Sequence, residues 1–156
     1  MRYLIISFLV FTLSSSYSQD LEMWTLSKIV DGDTLYAIDS TGNSTKFRLI
    51  GIDTPESRHP RKPVQPYSAE ATAALTSYLA NDTLYIEYDI QTVDRYNRAL
   101  AYVYDADKEL VNAKLVAGGF ARVSTYPPNV KYVELFTRLQ QEARSNNIGL
   151  WGLAIE

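Results

Sequence analysis

Acidic side chains lie in the turns of this chain where predicted strands end or begin. Asp31 and Asp33 belong to an Asp-Gly-Asp turn, and Asp53 and Glu56 directly follow another predicted strand. Two or three carboxylates with loop carbonyl oxygens form the hard oxygen site that suits Ca²⁺ or Mg²⁺. A remaining carboxylate can position or deprotonate water. These residue types therefore indicate metal-assisted hydrolysis.

Two arginines accompany the carboxylates. Arg48 is a polar residue inside the third predicted strand, and Arg98 ends the DRYNR turn of residues 94–98. Paired guanidinium groups can bind a phosphate and stabilise the charge that develops on it. A metal, a water molecule and two arginines are together the groups needed to hydrolyse a phosphodiester.

Each segment also has an ordinary structural explanation when it is taken alone. Residues 31–34 are typical of a hairpin turn, and residues 94–98 of a polar hairpin. Residues 53–56 resemble a capped turn, and Arg48 could belong to a solvated strand face. Ser/His/Asp chemistry is poorly supported, because His59 is the only histidine and is expected to be a solvated loop residue. Only the conjunction of the segments favours a phosphodiester site.

The elements that must position these residues are short strands joined by turns. Alternating apolar residues and turn residues predict five strands, over residues 24–30, 34–38, 46–52, 83–90 and 98–104. Apolar residues at helical spacing predict three helices, which begin near residues 68, 111 and 133. This order predicts an α+β fold: a five-stranded OB-fold β-barrel with a helix between strands 3 and 4 and two further C-terminal helices.

The composition fits one globular domain and excludes several kinds of site. The chain has 156 residues, of which 46% are hydrophobic and 21% charged, and it has no cysteine. Disulfide scaffolds, zinc ribbons and thiol nucleophiles are therefore excluded. The net charge of −3 argues against binding nucleic acid by bulk positive charge. Local binding stays open, because a divalent cation bound at the acidic turns would cover part of this negative charge.

The first 18 residues are predicted to be a secretory signal peptide. Arg2 precedes an apolar run over residues 3–13, and a serine-rich stretch leads to a cleavage site before Gln19. The run is shorter than the roughly 20 apolar residues that span a bilayer. A buried N-terminal strand or helix is the alternative. We therefore expect one domain over residues 19–156, secreted or periplasmic and not associated with a membrane after cleavage.

The chain resembles the staphylococcal nuclease (thermonuclease) family over about residues 23–151. The matching segments, in order, are IVDGDTL, KFRLIGIDTPES, HPRKPVQPYSAEA, VDRYNRALAYVY, ELVNAKLVAGGFARV and GLW. Several separated motifs in one order are far more specific than a single DGDT. The family has the OB-barrel fold, in agreement with the strand order. The resemblance implies a metal-dependent endonuclease that cuts DNA and RNA with little sequence preference and leaves 3′-phosphate ends.

The resemblance also implies roles for the acidic residues. Asp33 and Asp53 would be the Ca²⁺ carboxylates, and the Thr54 carbonyl would complete the protein ligands. Asp31 would not contact the metal itself but would support the residues that do. Glu56 would activate or orient the attacking water, and these two roles stay open.

The remaining implied roles concern the substrate. Arg48 and Arg98 would act on the scissile phosphate, and the residues that would shape the nucleotide end of the site are Asp94, Arg95 and Tyr96. Two departures from the family pattern stand out. Asn97 replaces a common glycine, which is tolerable because asparagine adopts positive φ more readily than most residues. Paired tyrosines beside the base are missing, and Tyr126 is the candidate substitute.

Two functional hypotheses follow. The first is a secreted, Ca²⁺-dependent nuclease that acts as a monomer on DNA, with RNA as a second candidate substrate. The alternative is a catalytically inactive nuclease-like OB module that binds nucleic acid or a partner protein. A basic cluster in residues 58–62 could guide DNA to the site or simply keep a loop solvated.

Overall fold

A computed structural model describes residues 21–57 and 63–153 of the chain. The predicted signal peptide, residues 1–18, lies outside the described residues. The basic cluster of residues 58–62, which includes His59, also lies outside them. Within the described part of the chain, no helix is long and apolar enough to cross a membrane.

The described chain contains seven strands, three α-helices and one 3₁₀ turn. The strands are β1 (Glu22–Asp31), β2 (Thr34–Ile38), β3 (Ser44–Leu49), β4 (Gly51–Asp53), β5 (Thr83–Glu87), β6 (Ala99–Tyr104) and β7 (Arg122–Ser124). The helices are α1 (Ser68–Tyr78), α2 (Val111–Ala117) and α3 (Val133–Ser145), and the 3₁₀ turn is Gly149–Gly152.

Five of the strands close into a barrel in the order β1-β2-β3-β6-β5. All neighbours are antiparallel except β3 and β6, which run parallel with Arg48 opposite Leu100. Helix α1 lies between the third and fourth barrel strands in the sequence, and α2 and α3 follow the barrel. The predicted α+β OB-fold is therefore confirmed.

The third predicted strand, residues 46–52, is interrupted in the structure. It divides into β3 and β4, and β4 leaves the barrel to pair with β7. Gly51, at the break, has a φ of 77°, a backbone conformation that residues with a side chain rarely adopt. A Cβ at this position would lie 2.7 Å from the Phe136 ring of α3. Helix α3 thus packs directly against the backbone of Gly51, and a side chain at this position would not fit. After this turn Asp53 belongs to the β4–β7 sheet and not to the barrel.

The barrel interior holds the aromatic and aliphatic side chains that the strand alternation predicts. Trp24 and Phe47 meet edge to face with ring centroids 4.9 Å apart, and Phe47 is fully buried. Full burial of a side chain of this size contributes about 1.5–3 kcal/mol. Leu75 of α1 is also fully buried in this core. The core therefore fixes the helix against the strands that carry the acidic turns.

A glycine allows α1 to approach the first acidic turn closely. A Cβ on Gly32 would lie 2.8 Å from Ala71 Cβ and 2.9 Å from Thr54 Oγ1. Register shifts in β1, between Leu26 and Lys28 and again between Ile29 and Asp31, bend the strand just before this turn. The helix, the acidic turn and the segment after β4 consequently meet at one end of the barrel.

Candidate functional site

The Asp33 carboxylate joins two segments that are far apart in the sequence. It is buried, and its Oδ2 accepts hydrogen bonds from Thr54 N at 2.9 Å and Thr54 Oγ1 at 2.8 Å. Its Oδ1 accepts a hydrogen bond from Thr34 Oγ1 at 3.1 Å. These contacts hold the carboxylate in one orientation beside the segment that carries the other predicted ligands.

Arg48 lies between the two predicted metal carboxylates. Its Nη2 is 3.0 Å from Asp53 Oδ1 and 3.2 Å from Asp33 Oδ2. Its Nη1 donates to the carbonyl of Leu49 and, at 3.1 Å, to the carbonyl of Ile52. Backbone carbonyls thus hold Nη1 of the guanidinium, and both carboxylates contact Nη2. The two carboxylates therefore converge on one atom, Arg48 Nη2.

The electrostatics of this corner are set by closely spaced acids. Asp31 Oδ1 accepts a hydrogen bond from Asp33 N at 3.1 Å. Burial and the neighbouring Asp33 charge raise the pKa of Asp31 to about 6. Partial desolvation also raises the pKa of Asp53, although Arg48 opposes the change. Asp33 and Asp53 thus share one arginine, Asp31 lies beside Asp33, and an added cation would stabilise the ionised forms of these carboxyl groups.

The predicted ligands fit a hard divalent ion with an incomplete protein shell. No group of three or more His, Cys, Asp or Glu side chains arranged to hold a metal occurs within residues 21–57 and 63–153. Asp33 and Asp53 supply oxygen donors that converge within 3.2 Å of one atom, Arg48 Nη2. With the Thr54 carbonyl, they would leave most of the six to eight positions that Ca²⁺ prefers to water and substrate oxygens.

Glu56 follows these ligands and is joined to Gln65 by two hydrogen bonds, one of them to the Gln65 side chain. Glu56 N donates to Gln65 Oε1 at 2.9 Å, and Gln65 N donates to the Glu56 carbonyl at 2.9 Å. The Glu56 residue itself is exposed. Gln65 was not predicted from the sequence, because nothing in a proline-rich loop marks one glutamine as a partner of a residue nine positions earlier.

The second arginine is organised by Asp94. The Asp94 carboxylate accepts hydrogen bonds from Arg98 Nε at 2.7 Å, Arg98 N at 2.9 Å and Tyr96 N at 2.8 Å. Partial burial opposes ionisation of Asp94, but the hydrogen bonds from Arg98 prevail and lower its pKa. Asn97 has φ 59°, so the expected tolerance of asparagine at the glycine position is confirmed.

An exposed aromatic ring lies between two arginines of this turn. Tyr96 is 65% exposed, and its ring centroid is 4.8 Å from the Arg95 guanidinium and 5.5 Å from that of Arg98. Arg95 Nη2 also donates to the Tyr96 hydroxyl at 2.7 Å. The turn therefore presents an exposed ring and the exposed Arg95 to solvent, with the half-buried Arg98 beside them, which suits an anionic, aromatic ligand.

The parallel pairing of β3 with β6 brings the two predicted catalytic arginines to neighbouring strands. Arg48 is opposite Leu100, and Arg98 lies directly before β6, two positions before Leu100. The Arg98 carbonyl accepts a hydrogen bond from Asp94 N at 3.0 Å, which closes the turn in front of the strand. The turn that carries Arg98 therefore adjoins the strand that carries Arg48.

Tyr126 lies on a loop that is tied to the connection between β5 and β6. The ring is 76% exposed. Nearby Asn129 is buried, accepts a hydrogen bond from Gln91 N at 2.8 Å and donates one to the Gln91 carbonyl at 2.8 Å. The loop that bears Tyr126 is thus anchored to the segment that leads to Asp94. Asn129 and Gln91 were missed by sequence reasoning, because they are 38 positions apart and carry no motif.

Comparison with known proteins identifies the family to which this chain belongs. Residues 46–152 match the family described as "Staphylococcal nuclease homologue". The chain belongs to this family. It is 42% identical over 83% of its length to the Thermonuclease of Staphylococcus intermedius, of which it covers 76%. It is likewise 42% identical over 80% of its length to the Thermonuclease of Staphylococcus hyicus, covering 72% of that protein.

A more distant relative has a different name and a longer chain. The SPbeta prophage-derived endonuclease YokF of Bacillus subtilis (strain 168) is 39% identical over 81% of this chain, which covers 43% of that protein. The family predicted from the sequence motifs is therefore confirmed.

Proposed function

We propose that this protein is a Ca²⁺-dependent endonuclease that hydrolyses phosphodiester bonds of DNA, and of RNA as a second substrate, to 3′-phosphate products. One observation carries the proposal: the side chains of Asp33, Asp53 and Arg48 converge at one end of the barrel. Arg48 lies on β3, which pairs with β6, the strand that directly follows Arg98. Membership of a nuclease family, and relatives named thermonuclease and endonuclease, support it.

The metal would be held by Asp33, Asp53 and the Thr54 carbonyl. When bound, Ca²⁺ supplies Lewis-acid polarisation of a phosphate oxygen and neutralises part of the charge at the site. The hydrogen bonds from Thr54 N and Oγ1 orient Asp33 for this role. The Asp31 carboxylate, which accepts a hydrogen bond from the Asp33 backbone N–H, would add negative charge beside the ligands.

Glu56 would act on the attacking water. Its carboxylate follows the ligand segment by two residues and is open to solvent, so a water molecule between it and the phosphate can transfer its proton to Glu56. The oxygen of that water forms a bond to phosphorus while the bond to the 5′ oxygen breaks. The 5′ oxygen then takes a proton from solvent, which leaves a 3′-phosphate end.

Arg48 and Arg98 would stabilise the negative charge that accumulates on the phosphate oxygens. Arg98 is preoriented by Asp94, and Arg48 by two backbone carbonyls. Donors that are already oriented need no reorganisation during the reaction, which is why electrostatic stabilisation of this kind is large. Removing one such donor typically costs about 10²–10³-fold in kcat.

Substrate binding would use the exposed aromatic surface beside the second arginine. The Tyr96 ring can stack on a base, which contributes about 1–3 kcal/mol per base, and Arg95 can pair with a phosphate. Tyr126, on its anchored loop, would provide a second stacking surface in place of the paired tyrosines.

We also propose that the protein is a monomer and that residues 1–18 are a signal peptide that directs its secretion. Two carboxylates and one carbonyl form a sparse ligand set, and sites with few charged ligands bind Ca²⁺ weakly. Extracellular modules work with dissociation constants of about 10⁻⁴–10⁻³ M. A sparse site is therefore suited to a secreted or periplasmic enzyme.

A direct test uses purified protein beginning at Gln19 and single-stranded DNA. We expect cleavage with Ca²⁺, none with excess EDTA, and a loss of about 10²-fold or more in kcat for Arg48→Ala and for Arg98→Ala. Chelator-insensitive cleavage, or full activity of either variant, would show that the site is assigned wrongly.

One observation favours the second candidate, an inactive module that binds nucleic acid or a partner protein. Arg48 Nη2 contacts both predicted ligand carboxylates, so this guanidinium must release at least one of them when a metal and a phosphate bind. If the contact is permanent, the protein should bind DNA with a salt-dependent affinity and leave it intact in Ca²⁺.

A further inference from the structure

A cleft adjoins the candidate site on the side of the small β4–β7 sheet. Its volume is about 380 Å³, within the range of roughly 300–1,000 Å³ that is usual for ligand pockets. Polar side chains of Asp53, Gln65 and Arg122 line it together with apolar side chains of Leu150 and Trp151. The cleft therefore combines a cation, hydrogen-bonding groups and an aromatic wall, and has room for about one nucleotide.

The cleft is continuous with the candidate site but separate from its arginines. Asp53 and Thr54 belong to both, whereas neither Arg48 nor Arg98 lines the cleft. Asp53 is the direct cross-strand partner of Arg122 in the β4–β7 pair. A ligand in this cleft would consequently lie next to the predicted metal ligands and would still be outside the position of the scissile phosphate.

The wall of the cleft carries one cation, Arg122. It is exposed, and its guanidinium lies 5.8 Å from the centroid of the Trp151 ring. Among the described residues, Arg122 forms no ion pair within 4.0 Å, although the Asp53 carboxylate also lines the cleft. In the proposed function the metal covers the charge of Asp53, which leaves the Arg122 guanidinium available for an anion beside the indole.

The cleft is also connected to Glu56. Gln65, on its wall, accepts a hydrogen bond from Glu56 N and donates its own N–H to the Glu56 carbonyl. The occupant of the cleft therefore lies beside both ends of the segment from Asp53 to Glu56. A polymer whose scissile phosphate is at the site would have its neighbouring phosphates within reach of this wall.

We propose that this cleft is a subsite for the nucleic-acid strand adjoining the scissile phosphate, in which Arg122 binds a backbone phosphate. The proposal rests on the proposed nuclease function and adds a residue that selects long strands over short ones. Arg122 is a substrate-positioning residue here, because it contacts a phosphate that does not react.

The experiment compares two substrates in Ca²⁺. One is a dinucleotide with a single phosphodiester, and the other is a single-stranded oligonucleotide of roughly 12 nucleotides, within the ~4–16 nucleotides that an OB fold contacts. The variants are Arg122→Gln, Arg122→Lys and the control Arg138→Gln, which removes the same charge from α3 at a residue that does not line the cleft.

Because Arg122 lies opposite Asp53, both substrates are assayed at saturating Ca²⁺ for each variant. We expect Arg122→Gln to raise KM for the oligonucleotide about 3–10-fold at low salt and to change KM for the dinucleotide by less than about 2-fold. For a single strand, the logarithm of the binding constant falls with the logarithm of the salt concentration by about 0.7 per phosphate contact. Loss of one contact removes this dependence, so the difference in KM between the variant and the wild type should shrink about 2.6-fold between 50 and 200 mM salt. Arg122→Lys should recover most of the low-salt efficiency, and Arg138→Gln should match the wild type.

The two proposals fail in different ways. An equal effect of Arg122→Gln on both substrates, or no effect on either, would overturn the subsite while leaving the nuclease function standing. If Arg138→Gln reproduces the defect, the effect reflects total charge and the subsite is likewise refuted. A wild-type protein that cleaves neither substrate would refute the nuclease function, and the subsite with it.

Discussion

Thr54→Val tests whether the structure orients Asp33 as a metal ligand. The substitution keeps the backbone hydrogen bond from Thr54 N to Asp33 Oδ2 and removes the 2.8 Å bond from Thr54 Oγ1. A hydrogen bond to a charged group contributes about 1.5–3 kcal/mol, and Asp33 keeps its other donors, so we expect a loss of about 1.5 kcal/mol in stability. At about 4 °C per kcal/mol for a domain of this size, Tm should fall by roughly 6 °C.

The more informative effect concerns the metal. Partners that hold a ligand in place typically contribute about 10–100-fold to metal affinity. We therefore expect the Ca²⁺ concentration for half-maximal DNA cleavage to rise about 10-fold, with kcat at saturating Ca²⁺ close to that of the wild type. The measurement is a Ca²⁺ titration of the cleavage rate, together with thermal unfolding of both proteins.

A matched control separates the two effects. Thr76→Val makes the same chemical change at an exposed position of α1, where the hydroxyl donates only to the Thr72 carbonyl. We expect this variant to lie within about 0.5 kcal/mol of the wild type in stability and to have an unchanged Ca²⁺ requirement. If Thr54→Val is destabilised but needs no more Ca²⁺, the Thr54 hydroxyl supports the fold alone and Asp33 is not oriented for a metal.

Three further predictions concern other parts of the structure. Asp94→Asn should lower kcat about 10–100-fold without changing the Ca²⁺ requirement, because Arg98 loses its orientation and small displacements of catalytic groups are costly; steady-state kinetics against Ca²⁺ would check this. Gly32→Ala should cost about 1–3 kcal/mol in chemical denaturation, since its methyl group would lie 2.8 Å from the nearest carbon of α1. Partial burial opposes ionisation of Asp105, but the Lys114 ammonium 2.9 Å away prevails and lowers the pKa of Asp105. This pair therefore stabilises the fold at pH values above 3.8, the ordinary pKa of an aspartate, and stops doing so as the pH falls through the lowered pKa. Lys114→Met should therefore destabilise the protein at about pH 6 and much less at about pH 2, and an equal loss in urea unfolding at both pH values would contradict that assignment.

Local patterns predicted most of the elements, because turn residues and periodicity act over a few positions. The strand predicted over residues 34–38 has the same bounds as β2, and the helix predicted to begin near residue 111 corresponds to α2. The break between β3 and β4 could not be predicted in this way. It depends on contact between Gly51 and Phe136, which are far apart in the sequence, and an isolated glycine in a strand does not reveal such a contact.

The candidate site was predictable only in part for the same reason. Residue types indicated metal and phosphate chemistry, but Asp33 and Thr54 are 21 positions apart, and the family resemblance was needed to bring them together. Arg122 lies in a segment that matches the family, but the sequence did not single it out, because its proposed role depends on its pairing opposite Asp53.

A buried polar cluster outside the site was also missed. Glu87 is buried and accepts hydrogen bonds from the hydroxyl groups of Tyr104 at 2.5 Å and Tyr132 at 2.9 Å, and it forms an ion pair with Lys131. Tyrosine suits half-buried strands, and Tyr104 is a buried residue of β6. The sequence pattern does not show that its hydroxyl stabilises a buried carboxylate, because the partners come from different elements.

The central claim is that Asp33 and Asp53 hold the metal on which phosphodiester hydrolysis depends. The most direct measurement is Ca²⁺ binding by calorimetry, carried out alongside DNA cleavage, for the wild type and Asp53→Asn. We predict that one Ca²⁺ binds to the wild type and that Asp53→Asn loses both this binding and the cleavage while remaining folded. Undiminished Ca²⁺-dependent cleavage by Asp53→Asn would contradict the claim.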